Sequence, residues 1–517
     1  MRIKLNTFLL SLLVFLLPTL AFAQEATEKS LDDTINEAIG PIIGPFVGLI
    51  FSPLPFSEAI FGTAFPWIVL WLVVAACVFT FYFGFIQFRG FSHSVSLVRG
   101  DYLDPKDAGE VTPFQALCTA LSGTVGLGNI AGVGVAVYLG GPGATFWMIL
   151  AGLLGMASKF TECVLGVHYR NEYPDGTVSG GPMYYLSKGL AERGMSGTGK
   201  VLAVFFAVCT VGGALGGGNM FQANQSAQQI AQVIPFFDGK GWIFGVMMAL
   251  VVGFVIIGGI KSIAKVTERV VPFMAAIYVG SALIIIGMNY SAIGDAFNAI
   301  ITGAFAPTAV AGGAVGALIQ GFKRAAFSNE AGVGSASIAH SAVQTKHPAT
   351  EGYVALLEPF IDTVVICTMT SLVITITGAW NPGDGVTGIA LTAKAFESSF
   401  SGFNYVLAVA AVLFAFSTMI SWSYYGLKAW TYLFGEGATK ELIFKVIFCI
   451  FVVIGASMSL GPVIDFSDAM IFTMAIFNII GLYILMPKVK ELVADYHEKL
   501  KSGEIRKIKN VKVAVGR

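Results

Sequence analysis

Charge is scarce in this chain. Asp, Glu, Lys and Arg make up 12% of 517 residues, with 31 acidic and 31 basic side chains and a formal net charge of zero. That balance gives no hint of a nucleic-acid or acidic partner, and no nucleic acid is expected. Cysteine is scarcer still. All six (Cys77, Cys118, Cys163, Cys209, Cys367, Cys449) lie inside apolar runs with no CxxC pair, which excludes a disulfide framework and a zinc site and leaves them as packing residues. HExxH is missing, as is any Ser/His/Asp grouping or carboxylate pair at a useful spacing, so no enzyme is expected. Gly126-x-Gly128-x-x-Ala131 has the letters of a dinucleotide fingerprint, but no soluble strand-helix-strand unit surrounds it.

Apolar residues and glycine are plentiful. The chain is 55% hydrophobic with 61 glycines, and its mean hydropathy is +0.76; this composition belongs to a polytopic membrane protein. Arg2 and Lys4 precede the apolar run from Phe8 to Leu20, and Ala21-Phe22-Ala23 matches a cleavage site, so residues 1–23 are expected to be a signal peptide. Residues 24–61 then form an extracytoplasmic segment punctuated by Gly40-Pro41, Gly44-Pro45, Pro53 and Pro55. Eleven apolar spans follow, near 65–88, 111–140, 143–167, 201–234, 242–260, 271–288, 310–342, 353–380, 405–433, 442–460 and 466–486.

Every second loop is basic. Arg89, Arg99 and Lys106 follow the first span, Arg170, Lys188, Arg193 and Lys200 the third, Lys261, Lys265 and Arg269 the fifth, and Lys346 the seventh. Positive loops belong in the cytoplasm, which also places there a basic tail at 488–517. The first span with its cytoplasmic loop occupies 62–110. The other ten spans divide into fives, at 111–290 and 310–487, joined by an extracytoplasmic connection at 291–309. Five is odd, so the halves are inverted. Each half opens on an interrupted helix: Leu121 to Tyr138 is broken by GTVGLGN, and the seventh span by Phe327-Ser-Asn-Glu-Ala-Gly-Val-Gly334. Paired interruptions in inverted repeats point to a binding site between the repeats.

The stretches SGTVGLGNIAGV, GGPGATFWM (Gly140 to Met148), GNMFQANQ (Gly218 to Gln225) and KRAAFSNEAGVGSASIAH (Lys323 to His340) resemble the alanine or glycine:cation symporter family over nearly all of the chain beyond its leader and tails. Val125 to Asn129 is also similar to the unwound first core helix of neurotransmitter:sodium symporters. The resemblance implies an all-α polytopic membrane protein: eleven transmembrane helices after a signal peptide, and an inverted five-plus-five repeat (LeuT-like) core with one preceding helix. It implies a bacterial plasma (inner) membrane, an amino-acid substrate and sodium as the coupling ion. The oligomeric state is left open. Leu127 stands where the family often carries a hydroxyl residue, so a ligand there would be backbone; Ile149 stands where Trp is common, and Ser337 where Pro is usual.

Sodium takes several oxygens, which unwound carbonyls and neutral side chains provide without fixed charge. Thr124 and Asn129 offer such oxygens, and Phe414 to Trp422 carries three hydroxyls in an apolar helix. By resemblance, one ion would sit among the carbonyls of Ser122, Val125 and Phe414 and the hydroxyls of Ser417 and Thr418, and a second near Thr124 C=O and Asn129. A hydroxyl in a membrane helix more often bonds to its own turn, so only convergence on the broken helix favours ion binding.

For the amino acid, the N–H groups of Leu127 and Gly128 would meet the carboxylate at a half-helix N-terminus. Carbonyls freed around Ala325 to Ser328, with Asn219 and Gln222 on one face of the fourth span, would meet the ammonium. Thr418 and Trp422, one turn apart, would close the pocket. Glu330 is expected to neutralise Lys323 or Arg324, and Lys159 to pair with Glu162. Two alternatives stay open: coupling to protons, and a cation channel, since Thr124 to Gly128 (TVGLG) is one residue from a potassium-filter motif.

Overall fold

The computed structural model describes residues 41, 44–104, 106–306, 313–380 and 385–507. The expected signal peptide and residues 24–40 lie outside them. The longest described helix before the repeats is α1 (Trp67–Tyr82), flanked by short helices at Ser57–Phe61, Ile86–Arg89 and Phe91–Val98. The first repeat holds α2 (Pro113–Thr124) and α3 (Gly128–Gly140), which are the two halves of one broken helix, then α4 (Ala144–His168), α5 (Ser196–Val233), α6 (Gly241–Ile256) and α7 (Gly259–Met288). A short helix, α8 (Ile293–Phe305), leads to the second repeat. That repeat starts with the halves α9 (Gly313–Asn329) and α10 (Ala336–His340), continues with α11 (Pro348–Ile376), and then places the short helix α12 (Ile389–Ser399) before α13 (Phe403–Phe434), α14 (Ala438–Ser457) and α15 (Leu460–Ser502).

The protein is thus an all-α polytopic membrane protein. Among the described residues six helices are long and apolar enough to cross a membrane, and the bent pair α2/α3 makes seven. α1 and α6 are apolar but shorter. α9 carries Lys323 and Arg324, and α14 carries Lys440, Glu441 and Lys445 near its start. Helices run through the described parts of the expected segments, the seventh being interrupted from Glu330 to Ser335.

Four counterpart helices of the two repeats pack on one another: α3 on α9, α4 on α11, α5 on α13 and α6 on α14. Local sequence sets the helix starts. Thr112 caps α2, its hydroxyl accepting from Gln115 N–H (3.2 Å) while Gln115 Oε1 accepts from Thr112 N–H (3.1 Å), with Pro113 at the first position. Pro348 opens α11 in the same way. A small antiparallel pair, β1 (Asn171–Glu172) and β2 (Val178–Ser179), lies between α4 and α5.

Two loops expected from the charges are helical. Lys261, Lys265 and Arg269 lie on the first turns of α7, so the basic segment adds little loop after α6. Residues 488–502 of the expected tail continue α15, because nothing before Gly503 (φ 76°) stops the helix.

Candidate functional site

The two broken helices meet in the interior. α2 ends at Thr124, where Val125 (ψ 86°) leaves helical geometry. α3 restarts through a π-turn at Gly128–Gly132, bent 48° from α2. Amides freed at such a bend need acceptors. Asn129 Oδ1 accepts from Gly126 N–H (2.8 Å), and Gln222 Oε1 on α5 accepts from Leu127 N–H (2.9 Å). Gly128 N–H has no acceptor among the described residues.

The second break spans Glu330 to Ser335. Glu330 holds φ 56°, and Gly332 and Gly334 hold 86° and 92°. At Gly334 the backbone excludes a side chain twice over, since a Cβ would also lie 2.8 Å from Pro182 and 2.9 Å from Asn478. α9 stays helical through Asn329, and Ala326 C=O accepts from Glu330 N–H (3.1 Å), so the opening begins after the expected Ala325 to Ser328. A Cβ on Gly128 would stand 3.5 Å from Ser328 and 3.6 Å from the Phe327 ring, which puts the breaks in van der Waals reach.

α13 joins them. Trp422 is buried, and its indole N–H is shared between Gly123 C=O (3.2 Å) beside the first break and Glu330 Oε1 (3.0 Å) in the second. Thr418, one turn away, carries a buried hydroxyl with no hydrogen-bond partner among the described residues. A Cβ on Gly126 would collide with that hydroxyl and come within 3.0 Å of Gln222 Oε1. An unpartnered buried hydroxyl costs about 1–3 kcal/mol, which a ligand at this spot would recover.

Other expected ligands point elsewhere. Ser417 donates to Phe414 C=O (3.0 Å) and Met274 Sδ (3.3 Å), on the side facing α7. One residue turns a helix by about 100°, so Ser417 and Thr418 cannot share a face. Ser421, three residues on, takes that place: it contacts Ser122 Oγ and donates to Thr119 C=O (2.9 Å). Thr124 back-bonds to Ala120 and Leu121 (3.3 Å each). Asn219 turns its amide to α14, Nδ2 donating to Phe448 C=O (2.6 Å), while its buried Oδ1 has no hydrogen-bond partner among the described residues. The π-turn Gly216–Met220 rotates the residues before it relative to Gln222, which defeats a face assignment by helical spacing.

The sequence reading missed Asp362 on α11. Its Oδ1 accepts from Asn129 Nδ2 (2.6 Å) and Ser328 Oγ (3.2 Å), and its Oδ2 from Thr363 Oγ1 (2.6 Å). Fully buried, it has no Lys, Arg or His within ion-pair distance among the described residues. Cys367 Sγ stands 3.3 Å from Asn129 Nδ2. An Asp in the middle of an apolar run is itself a signal and would have marked this position.

The charged pairs also differ from expectation. Lys323 (3.0 Å) and Arg324 both pair with Asp468 on α15, leaving Glu330 to Trp422 and Ser335. Lys159 pairs with Glu358 (3.1 Å), and Glu162 accepts from Asn478 Nδ2 (2.9 Å). In each case the partner is a residue of a neighbouring helix that the sequence order hides.

Two inverted repeats whose first helices unwind against each other, with unpartnered polar groups at the junction, define a secondary carrier. The chain belongs to the sodium:alanine symporter family, whose profile matches residues 55–510. It is therefore a member of a family of amino-acid:cation symporters, not of enzymes. It is 39% identical over 436 residues to the sodium/alanine symporter AgcS of Methanococcus maripaludis, covering 84% of this chain and 94% of that protein. To the probable sodium/glutamine symporter GlnT of Bacillus subtilis it is 34% identical, with 84% and 89% covered. The putative sodium/proton-dependent alanine carrier YrbD of the same organism is 34% identical, with 76% and 82% covered. Among solved structures, MhsT in complex with L-phenylalanine shares the fold (TM-score 0.51, 12% identity, 72% of this chain and 89% of that one).

Proposed function

We propose that this carrier brings a small neutral amino acid, alanine or glycine, into the cell together with sodium by alternating access. The observation that supports this most is the junction of the two breaks, where Gly128 N–H and Thr418 Oγ1 lack partners beside a carboxylate, Asp362, that lacks a cation. In this reading Gly128 N–H receives the substrate carboxylate, and sodium is held near the first break by ligands drawn from Thr418, Asp362 and the carbonyls near Val125. Trp422, Phe327 and Leu127, all buried apolar residues beside the breaks, would wall the side-chain end of the substrate in this reading. The relatives' printed substrates, alanine for AgcS and glutamine for GlnT, support the class of substrate. The face bearing the basic loops and the end of α15 is assigned to the cytoplasm, and the mature N-terminus to the opposite side, following the positive-inside bias.

The test is uptake of labelled alanine and glycine into proteoliposomes under an imposed sodium, proton or potassium gradient. Saturable accumulation driven by sodium is expected. Ion current without amino-acid uptake would make the protein a channel, and accumulation driven by protons alone would reassign the ion.

A further inference from the structure

Beyond the breaks lies a chain of buried ionisable groups. His340, the last residue of α10, has Glu351 Oε1 2.6 Å from Nδ1 and Glu358 Oε1 2.6 Å from Nε2, both acids on α11. Glu358 Oε2 in turn lies 3.1 Å from Lys159 Nζ on α4. All four side chains are essentially inaccessible. Each of the two 2.6 Å contacts requires a hydrogen between nitrogen and oxygen. A neutral imidazole carries one N–H and one lone pair, and a lone pair facing a carboxylate repels it. The Glu–His–Glu triad is therefore one proton short unless it takes one up. With that proton on the ring, Lys159 and His340 carry two positive charges against Glu351 and Glu358 with two negative, and the chain is neutral, which burial favours.

From the geometry we infer that His340 is a buried imidazolium and that the triad is a proton-binding site filled from the cytoplasm. The route is short. A cavity of about 300 Å³ opens on the basic face, lined by Arg170, Thr345, Lys346, His347 and Ala349 among others. Arg170 donates to the carbonyls of Ser341 (3.1 Å) and Val343 (2.7 Å), directly after His340, and Ala349 is two residues from Glu351. The other ionisable groups around the site are Lys159, Glu162 and Cys163 from α4, Glu330 from the second break, Arg170, and Tyr425 from α13. The proton moves from cytosolic water to the ring and back, so no other reactant is needed. Because the proton joins α10 to α11, and Glu358 reaches Lys159 on α4, its loss would release these helices from one another, and a carrier that opens inward by parting them must rebind it before closing. Below the value at which the triad loses its proton this bridge is intact; above it the bridge is lost. The consequence for transport rests on the symport reading, whereas the protonation of His340 does not.

The test uses the full chain with 15N-labelled histidine, of which there are five. At about pH 8 an imidazolium signal is expected, assigned to His340 by its loss in His340→Gln; a free histidine would be neutral there. Glu351→Gln is nearly isosteric, and its amide can donate to the ring's lone pair, so this variant should fold, bind no extra proton and show a neutral His340. A neutral His340 in the wild type, or an imidazolium that persists in Glu351→Gln, overturns the site. In proteoliposomes at fixed external pH, raising the lumenal pH from about 6.5 to about 8.5 should slow sodium-driven alanine uptake by up to about tenfold per unit once the proton is lost, and leave Glu351→Gln flat. Identical profiles for the two proteins overturn the link to transport. An imidazolium signal without sodium-driven uptake would sink the symport reading and leave the proton site standing.

Discussion

The two breaks solve one problem with different chemistry. In the first, the freed amides are met by neutral carboxamides: Asn129 holds Gly126 and Gln222 holds Leu127. Around the second the fixed groups are carboxylates: Glu330 holds Trp422 and Ser335, and Asp362 gathers Asn129, Ser328 and Thr363. A neutral break leaves N–H dipoles to face an anion, while a break beside carboxylates calls for a cation. In the function proposed above, a zwitterion and a sodium ion would satisfy both at once, with the amino acid's carboxylate toward Gly128 and positive charge toward Asp362. Asn129 belongs to both sides, its oxygen serving one break and its amide nitrogen the other, so occupancy at either should be felt at the other.

The largest effect is expected from Gly126→Ala. Its Cβ would meet the Thr418 hydroxyl and Gln222, and overpacking of about 1–3 kcal/mol at the site should lower sodium-driven alanine uptake by roughly tenfold to a hundredfold. Gly132→Ala, in the same helix but with nothing within 4 Å of the added carbon, should transport normally. Equal loss in both variants would mean that helix flexibility, not the contact at the first break, matters.

Next in size is the carboxylate side. Asp362→Asn keeps an acceptor for Asn129 but removes the charge, so the sodium concentration for half-maximal uptake should rise by about tenfold, the scale of one charge-assisted contact. Asn129→Ala should weaken sodium and alanine together, because linkage makes the coupling reciprocal. Sodium dependence unchanged in both variants, at wild-type protein levels, would remove the cation from this site.

Trp422→Leu gives a smaller, qualitative change. Removing the ring cuts the link between the breaks and opens volume, so alanine uptake should fall while leucine or methionine begins to compete; an added methylene in an apolar pocket is worth about 1–3 kcal/mol. Inhibition of alanine uptake by a series from glycine to leucine reads this directly. A preserved ranking would show that Trp422 only packs.

The smallest effect lies outside the membrane. His93 bonds Tyr496 (2.8 Å) and His497 bonds Tyr353 (2.7 Å), docking the end of α15 onto its neighbours. Burial holds His93 below the usual histidine value, helped by His497 and Lys507, and burial with Lys501 and Arg89 does the same for His497. A ring whose value is depressed in the docked state contributes fully above its free value, near 6.5, and loses that contribution as pH falls through the docked value. Limited proteolysis after residue 487 should therefore be faster at about pH 5.5 than at about pH 7.5. A pH-independent rate would place the docking elsewhere.

Much of the architecture was legible without coordinates because it rests on local properties. Apolar length marks α4, α5 and α13; Gly126, Gly128, Gly332 and Gly334 mark where helices cannot continue; Pro113 and Pro348 mark where they begin. Gln222, Thr418 and Trp422, reached through helical spacing and through resemblance to sodium symporters, lie in the structure beside the first break. Ser417, assigned by resemblance, bonds toward α7, and Asn219, assigned by ideal helical spacing, bonds toward α14, because a π-turn or a single residue step changes which neighbour a side chain meets.

By itself, the sequence determined that this protein is an all-α membrane carrier of two inverted halves, since hydropathy, glycine interruptions and the alternation of basic loops are written along the chain. The tertiary structure alone decided the partners: Lys159 with Glu358 rather than Glu162, Arg324 with Asp468 rather than Glu330, and His340 between two glutamates. The reason is physical. A buried charge accepts whichever opposite charge or donor lies nearest in space, and helices brought together by packing present residues that spacing within one helix cannot reveal.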